Sequence, residues 1–211
     1  MLTVHHLGRS QSERIVWLCE ELGLDYELKR YERAPLLAPP EYKALHPIGT
    51  APVITDGDVV LGESGAIIEY ILAKYGKGRL ARQLGHPEFA NYLYWLHFAN
   101  GSFQALLHRT LIARRLEQSA EHPVLASLQA RLAAALDLMN RRLGEADYLA
   151  GDELTAADIM MVFSLTTMRS FTPYELKPYA HILAYLRRIA AREAYQRAMG
   201  KGDPHMPLLL D

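Results

Sequence analysis

Residues 46–70 read HPIGTAPVITDGDVVLGESGAIIEY. Two short apolar runs, Val53–Thr55 and Val59–Leu61, stand on either side of an Asp-Gly-Asp segment, which indicates a tight turn between two antiparallel strands. Pro52 comes directly before the first run, although proline cannot donate a hydrogen bond to a neighbouring strand. A helical pattern follows the second run. The position of this proline therefore needs an explanation from the rest of the chain.

The residues before this stretch alternate strand and helix signals. Apolar residues from Ile15 to Leu22 recur at helical spacing, and Gly23 is a typical helix end. We predict strands at 2–7 and 26–31, a short helical turn at 41–45, strands in the hairpin and a helix that starts at Ser64. The order β-α-β-(α)-β-β-α predicts a small α/β domain.

The residues after this stretch are almost entirely helical in pattern. Helices are predicted at 87–116, 123–143, 155–168, 179–190 and 192–199. The body of the third, Ile159 to Phe163, is apolar all round, which indicates a helix buried within a bundle. We therefore expect an α/β domain over 1–77, a linker over 78–87 and an all-helical domain over 88–211.

Composition excludes several classes of protein. The chain has 211 residues, half of them hydrophobic, and a formal net charge of -1, so bulk charge favours neither nucleic acid nor an anionic membrane as a partner. We see no secretory signal and no apolar run that approaches the ~20 residues needed to span a bilayer. A single cysteine, Cys19, excludes an internal disulfide. The expected location is the cytoplasm.

The strand order explains Pro52. A β-α-β unit followed by a proline that opens an antiparallel hairpin is the thioredoxin-like layout, in which that peptide bond is cis. The backbone N–H and C=O of Ala51 then face an open edge, where an extended peptide can pair with them. Considered alone, the proline could equally start an edge strand.

Three further motifs resemble those of the glutathione transferase superfamily, over the whole chain. They are HPIGTAPVI, LGESGAIIEYI and LTAADIMM, and the segment RYERAPLLAPPEYKALHPIG is similar to a serine-type branch of small bacterial and fungal transferases. The resemblance implies a thioredoxin-like domain followed by an all-α domain. It also implies transfer of glutathione to a hydrophobic electrophile and a homodimer, with glutathione as co-substrate and no other cofactor.

The predicted glutathione site begins at Glu63 and Ser64. Ser64 is a good N-cap for a helix over 65–75, whose first N–H groups can bind a carboxylate, and Glu63 can pair with an ammonium group. The alternative is that Ser64 only caps its helix and that Glu63 is solvated. The resemblance adds Thr50, Ala51 and Pro52 as contacts to the cysteinyl part of glutathione.

Thiol activation is predicted for a hydroxyl in the loop before the first helix. The resemblance places the activating serine four residues before Arg14, which selects Ser10, whereas Ser12 is interpreted as the helix N-cap. Both serines could instead serve only the turn and the cap. Cys19 falls on the apolar stripe and is interpreted as core. The loop contains no tyrosine and no cysteine.

Adjacent His5 and His6 point to opposite faces of a strand and cannot share one metal ion, so no metal site is predicted. Arg9, next to Ser10, is a candidate for contact with the thiol or the electrophile, or only with water.

The helical domain is expected to hold the electrophile and the partner subunit. Positions 89, 93, 96, 100, 103 and 107 form one helical stripe that is apolar except at Asn100. The resemblance places an acid at this position, which reaches the glutathione bound to the partner subunit of a dimer. With Asn100 here, that contact is either a neutral hydrogen bond or missing. The alternative is that Asn100 is a core amide bonded to the backbone. Candidate electrophile contacts are Phe103, Leu106, Leu107, Thr110 and Leu111. The apolar tail 205–211 either covers this pocket or packs on the bundle.

Two other functions are compatible with the sequence. A non-catalytic glutathione-fold module would serve dimerisation or scaffolding, and a glutathione-dependent disulfide reductase could act through two bound glutathiones. Peroxide reduction is expected only as a side activity. The joint presence of Ser10, Ala51-Pro52 and Glu63-Ser64 favours the transferase.

Overall fold

The computed structural model describes residues 1–34, 37–116 and 122–210. Its strands and helices are β1 (Leu2–Leu7), α1 (Glu13–Leu22), β2 (Glu27–Tyr31), α2 (Pro40–Lys43), β3 (Val53–Asp56), β4 (Val59–Gly62), α3 (Ser64–Tyr75), α4 (Phe89–Phe98), a π-helix (Ala99–Gln104), α5 (Ala105–Arg115), α6 (Pro123–Glu145), α7 (Ala156–Leu165), a 3-10 helix (Thr167–Ser170), α8 (Ala180–Ala190) and α9 (Glu193–Gly202). None of the helices in these ranges is long and apolar enough to span a membrane.

The first compact unit comprises Met1–Ala81 and Ile189–Leu208. Its four strands lie in the order β2-β1-β3-β4; β1 and β2 are parallel, and the other neighbouring pairs are antiparallel. Helix α1 ends at Gly23 in the left-handed conformation, with φ 60°, which glycine adopts at little cost. The predicted β-α-β unit and hairpin are therefore present.

Helix α9 packs against α1 within this unit. The rings of Trp17 and Tyr195 meet edge to face, with their centroids 4.9 Å apart. The Glu21 carboxylate accepts hydrogen bonds from Trp17 Nε1 at 2.9 Å and from Arg192 at 2.6 and 2.8 Å. These contacts place Asp203, which follows α9, beside the loop between β1 and α1.

The predicted domain boundaries differ from this division. The sequence assigns all of 88–211 to the helical domain, whereas residues 189–208 group with the sheet. The reason is the contact of α9 with α1, which no local pattern reveals. In the predicted tail, residue 211 lies outside the described residues, as do residues 35–36 of the proline-rich loop.

The second compact unit comprises Arg82–Arg188 and the last residues of the chain. Every residue of α7 is buried, as the apolar pattern predicts. The Asp158 carboxylate accepts hydrogen bonds from Leu149 N at 2.9 Å, Thr155 N at 2.8 Å, Thr155 Oγ1 at 3.1 Å and Tyr185 Oη at 3.2 Å. Burial raises the pKa of Asp158, and these hydrogen bonds act in the opposite direction.

The predicted helix over 87–116 is interrupted in its middle. Helix α4 ends at Phe98, and the π-helix Ala99–Gln104 precedes α5. Tyr92 and Trp95 are buried before this π-helix, whereas Leu93 is 38% exposed. The predicted stripe is therefore not one continuous buried face: Leu96, Phe103 and Leu107 are buried, Phe89 and Asn100 are half-buried, and Leu93 is exposed. A π-helix inserts an extra residue and shifts the register of the side chains, and periodicity alone cannot anticipate that shift.

Candidate functional site

The loop before α1 buries two serine hydroxyls side by side. Ser10 is 5% exposed and Ser12 is fully buried, with their Oγ atoms 2.7 Å apart. The carbonyl of Ser10 accepts a hydrogen bond from Glu13 N at 3.1 Å, which starts the helix. The predicted activating hydroxyl of Ser10 therefore lies at the N-terminus of α1, where the helix dipole favours an anion.

The structure corrects the role of Ser12. Ser12 occupies the N-cap position, but its side chain makes no capping hydrogen bond. Its Oγ instead accepts from Leu7 N at 3.1 Å and bonds to His6 Nδ1 at 2.9 Å. Ser10 Oγ accepts from Ser12 N at 3.2 Å. The Ser12 hydroxyl therefore bonds to Ser10 and to β1 rather than to the first N–H groups of α1, a choice that the helical pattern alone does not reveal.

The loop before β3 presents Ala51 to the start of α1. The Ala51-Pro52 peptide bond is cis. Gln11 Nε2 donates a 2.8 Å hydrogen bond to the carbonyl oxygen of Ala51. Pro52 is buried and Thr50 is exposed. Gln11, which the sequence reasoning did not single out, therefore occupies the backbone acceptor that was predicted to meet a peptide.

The start of α3 also differs from the prediction. Ser64 is the first residue of the helix rather than its N-cap; the cap position is Glu63, and no side chain caps the helix there. The Ser64 hydroxyl is 3.3 Å from Arg14 Nη1 and 3.4 Å from Gln11 Oε1. Glu63 is exposed and has φ 67°, a left-handed conformation that is rare outside glycine. Such backbone outliers concentrate at functional sites.

Arg14 links the starts of α1 and α3. Its side chain is buried, and Nη1 donates to Gln11 Oε1 at 3.0 Å as well as to Ser64 Oγ. Burial lowers the pKa of this guanidinium to about 9. Gln11 thus joins Ala51 to Arg14, and Arg14 joins Gln11 to Ser64. Three motifs that lie far apart in sequence converge here.

The residues predicted in the helical unit have different environments. Asn100 lies in the π-helix and is half-buried. Phe103, Leu107 and Thr110 are fully buried, and Thr110 Oγ1 donates to the carbonyl of Leu106 at 2.9 Å. Their assignment to an electrophile pocket stays a prediction, as does the role of Asn100 across a dimer.

His5 and His6 make separate contacts, as their opposite orientation requires. His5 Nδ1 is 3.0 Å from Tyr31 Oη, whereas His6 Nε2 is 3.1 Å from Asp203 Oδ2. Among the residues that the structure describes, no group of three or more His, Cys, Asp or Glu side chains could hold a metal ion. Cys19 is fully buried, and burial raises the pKa of its thiol to about 12, which disfavours the thiolate at neutral pH.

Arg9 is exposed and lies at the edge of a cavity of about 380 Å³. Its backbone N donates to both carboxylate oxygens of Asp203, at 3.0 and 3.1 Å, and its carbonyl accepts from Arg33 Nη2 at 2.8 Å. Sequence reasoning missed Asp203 because it lies far along the chain in a segment without a motif. Its contacts hold the loop that carries Ser10.

Comparison with known proteins gives a consistent result. The N-terminal domain model of glutathione S-transferase matches residues 9–74, and the C-terminal domain model matches residues 103–193. The chain is 31% identical to glutathione S-transferase 3 of Schizosaccharomyces pombe, over 95% of this chain and 88% of that protein.

Solved structures agree with the sequence matches. A glutathione S-transferase of Actinobacillus pleuropneumoniae has a TM-score of 0.87 and 33% identity, covering 100% of this chain and 99% of that one. A theta class glutathione S-transferase of Xanthomonas axonopodis pv. citri, solved with glutathione bound, has a TM-score of 0.71 and 26% identity, covering 93% and 96% of the two chains.

Proposed function

Because this chain belongs to the glutathione S-transferase family and is a glutathione transferase, we propose that it conjugates the thiolate of reduced glutathione to a hydrophobic electrophile and that Ser10 activates the thiol. The same thiolate would reduce peroxides as a side activity. The observation that carries this proposal is the convergence of the starts of α1 and α3 with the loop before β3, joined through Gln11 and Arg14.

The binding proposal follows from the charges of glutathione. Its γ-glutamyl end carries one carboxylate and one ammonium group. Free N–H groups in the first turn of α3, next to Ser64, suit the carboxylate. The exposed side chain of Glu63 suits the ammonium group. The cysteinyl backbone would then pair with Ala51, beside Pro52 and Thr50, which places the thiol toward the start of α1.

Pairing with Ala51 would bring the cysteinyl N–H to the carbonyl oxygen that Gln11 contacts. The Gln11 amide donates to the Ala51 carbonyl in this structure, and an incoming cysteinyl N–H would take over the same acceptor. The exchange replaces one neutral hydrogen bond with another, so it costs little net free energy. Gln11 keeps this half-buried acceptor satisfied until the peptide arrives.

The energetics favour a single hydroxyl as the activating group. A free thiol has a pKa of about 8.5, and lowering it by ~2 units requires about 2.7 kcal/mol of preferential stabilisation of the anion. A hydrogen bond to a charged group supplies roughly 1.5–3 kcal/mol. The N-terminus of α1 adds about 0.3–1 kcal/mol. The Ser10 hydroxyl and this helix start therefore suffice together.

The electrophile site and the homodimer belong to the same proposal. Arg9 is the exposed candidate for contact with the electrophile. Phe103, Leu107 and Thr110 would shape the electrophile site from within the helical unit, and Asn100 would contact the glutathione of the partner subunit in a homodimer. We expect a small, hydrophobic electrophile, because two of the predicted contacts, Phe103 and Leu107, are apolar.

The test is a pH titration of the ultraviolet absorbance of the thiolate of bound glutathione. Wild type should bind glutathione and lower its thiol pKa, and Ser10→Ala should bind it but leave the thiol near its free value. Ser127→Ala is the matched control, because this exposed serine lies in α6. If wild type binds glutathione without lowering its thiol pKa, or does not bind it, the catalytic proposal is wrong. A scaffold function would then be the better hypothesis.

A further inference from the structure

Four side chains form a continuous hydrogen-bonded chain that ends at Ser10. Asp203 Oδ2 is 3.1 Å from His6 Nε2, and His6 Nδ1 is 2.9 Å from Ser12 Oγ. Ser12 Oγ is in turn 2.7 Å from Ser10 Oγ. The chain joins β1, the loop before α1 and the residue after α9. It therefore connects the proposed activating hydroxyl to a carboxylate elsewhere in the first unit.

Most of this chain is shielded from solvent, since His6, Ser10 and Ser12 are buried. The side chain of His6 is 1% exposed and that of Asp203 is 10% exposed. Glycines on both sides allow the close approach: a Cβ at Gly202 would lie 3.1 Å from His6 Nε2, and a Cβ at Gly8 would lie 3.3 Å from Asp203 Oδ1. Water has little access to His6, so a proton on its ring would have to move through the hydrogen-bonded partners.

The resting positions of the hydrogens follow from the partners. An ionised Asp203 can only accept, so His6 Nε2 donates to it and the neutral ring accepts at Nδ1. Ser12 then donates to His6 Nδ1 at 2.9 Å, which is closer than the alternative acceptor, the Leu7 carbonyl at 3.3 Å. With its own hydrogen used, Ser12 Oγ accepts from Ser10. In this state Ser10 donates to Ser12 and cannot donate to a thiolate.

We propose that the His6–Asp203 pair receives the thiol proton of glutathione through Ser10 and Ser12. This inference rests on the proposed function. The S–H bond breaks as Ser10 Oγ takes that proton, the Ser10 hydroxyl proton passes to Ser12 Oγ, and the Ser12 proton passes to His6 Nδ1. The products are a thiolate that accepts from Ser10 and an imidazolium paired with the Asp203 carboxylate. Charge and atoms balance without another reactant.

The proton transfer gives a role to three residues that do not contact the thiol. Ser10 touches the thiol and is the catalytic residue, whereas Ser12, His6 and Asp203 act through it as positioning residues. The transfer reverses the direction of the hydrogen bonds that both hydroxyls donate. The step that forms the thiolate therefore also leaves the Ser10 hydroxyl donating to it. The proton is held two hydroxyls away from the sulfur, which limits its return.

The charges around Asp203 support an ionised carboxylate. Burial opposes its ionisation, but the hydrogen bond and charge of His6, the bond from Arg9 N and the charge of Arg30 lower the pKa of Asp203 overall. Other titratable or charged groups line the cavity of about 380 Å³ next to it. These groups are Arg9, Arg30, Glu32, Arg33 and His205.

The first experiment titrates the thiolate of bound glutathione in Asp203→Asn and Ser12→Ala. Both variants should raise the apparent thiol pKa of bound glutathione by about one unit, a tenfold loss of thiolate at a fixed pH. Glu32→Gln is the matched control, because it removes a negative charge from the same cavity and should leave the titration unchanged. Binding of S-methylglutathione, which has no thiol, should stay within about twofold in all variants.

A second experiment follows His6 directly by NMR of nitrogen-labelled histidine in the wild type. Adding glutathione at a pH where His6 is neutral should convert its ring to imidazolium, and adding S-methylglutathione should not. If the thiolate forms while His6 stays neutral and Asp203→Asn titrates like wild type, the relay is wrong although the proposed function stands. If wild type forms no thiolate at all, the proposed function itself fails. If Ser12→Ala does not fold, the thiolate titration of Asp203→Asn and the NMR signal of His6 still test the relay.

Discussion

Two aspartates, the fully buried Asp158 and the largely buried Asp203, lie one in each unit and show how partners determine the role of a carboxylate. Asp158 accepts hydrogen bonds from two backbone N–H groups and two hydroxyls, which belong to Leu149, Thr155 and Tyr185. Asp203 accepts from the backbone N of Arg9 and from the ring of His6, whose other ring nitrogen is bonded to Ser12. Asp158 can only hold a structure in place. Asp203 can also take part in moving a proton.

The difference also appears in the pKa values. Burial raises the pKa of Asp158, although its hydrogen bonds oppose the rise. At Asp203 burial acts in the same direction, but His6, Arg9 and Arg30 outweigh it and lower the pKa. The same side chain is thus structural where its donors are fixed and neutral, and suited to function where a titratable donor joins it to a site.

The largest effect is expected for Asp158→Ala. It leaves the N–H groups of Leu149 and Thr155 and the hydroxyl of Tyr185 without this acceptor, so the free energy of unfolding should fall by about 3–5 kcal/mol. Urea unfolding measures it, with the exposed Asp137→Ala as control. If Asp158→Ala and Asp137→Ala were equally stable, the structural role assigned to Asp158 would be wrong.

Asp56→Asn tests a third aspartate, which is buried and accepts from a lysine and two tyrosines. Burial opposes ionisation of Asp56, but hydrogen bonds from Lys74, Tyr75 and Tyr70 hold its pKa at about 2, below the usual 3.8. Because the folded pKa is depressed, its stabilisation is present above pH 3.8 and is lost as the pH falls through about 2. The variant should be less stable than wild type above this window and equal to it below.

Urea unfolding at a series of pH values measures this window, and Asp58→Asn in the same hairpin turn is the control. Asp58 is exposed, so its replacement should leave the pH dependence unchanged. A stability difference between Asp56→Asn and wild type that persists unchanged below pH 2 would contradict the assigned ionisation.

Asp203→Asn should affect stability less than Asp158→Ala does. The loss is expected to be about 1–2 kcal/mol at neutral pH, since the amide oxygen still accepts from Arg9 N. The folded pKa of Asp203 is lowered, so this contribution should disappear as the pH falls below the usual value of 3.8. Urea unfolding and the thiolate titration on the same sample separate the two roles. If Asp203→Asn lost as much stability as Asp158→Ala, the proposed difference between the roles of Asp203 and Asp158 would be wrong.

The smallest effect is expected for Cys19→Ala. The thiol is buried on α1 outside the hydrogen-bonded chain, and its pKa is raised to about 12, so the folded protein should resist alkylation at pH 8. Stability should fall by about 0.5–1 kcal/mol, and the thiolate titration should not change. Rapid alkylation of the native protein, followed by mass spectrometry, would show that this region of α1 opens readily.

The fold could be predicted from the sequence because its signals are local. The Asp-Gly turn, the helix end at Gly23 and the apolar run of α7 each specify a short segment by backbone preference or periodicity. The π-helix at Ala99–Gln104 escaped prediction because an inserted residue leaves no periodic signal. Capping by Ser12 and Ser64 was also predicted wrongly, because buried partners competed for both hydroxyls.

The sequence by itself determined the order of elements, the motifs of the family and the presence of Ser10, Ala51 and Ser64 near the starts of α1, β3 and α3. The tertiary structure decided what those residues contact. His6 meets Asp203 across 197 positions of the chain only because α9 packs on α1. Hydrogen bonds act over about 3 Å, and such proximity between distant segments arises from packing rather than from any local pattern.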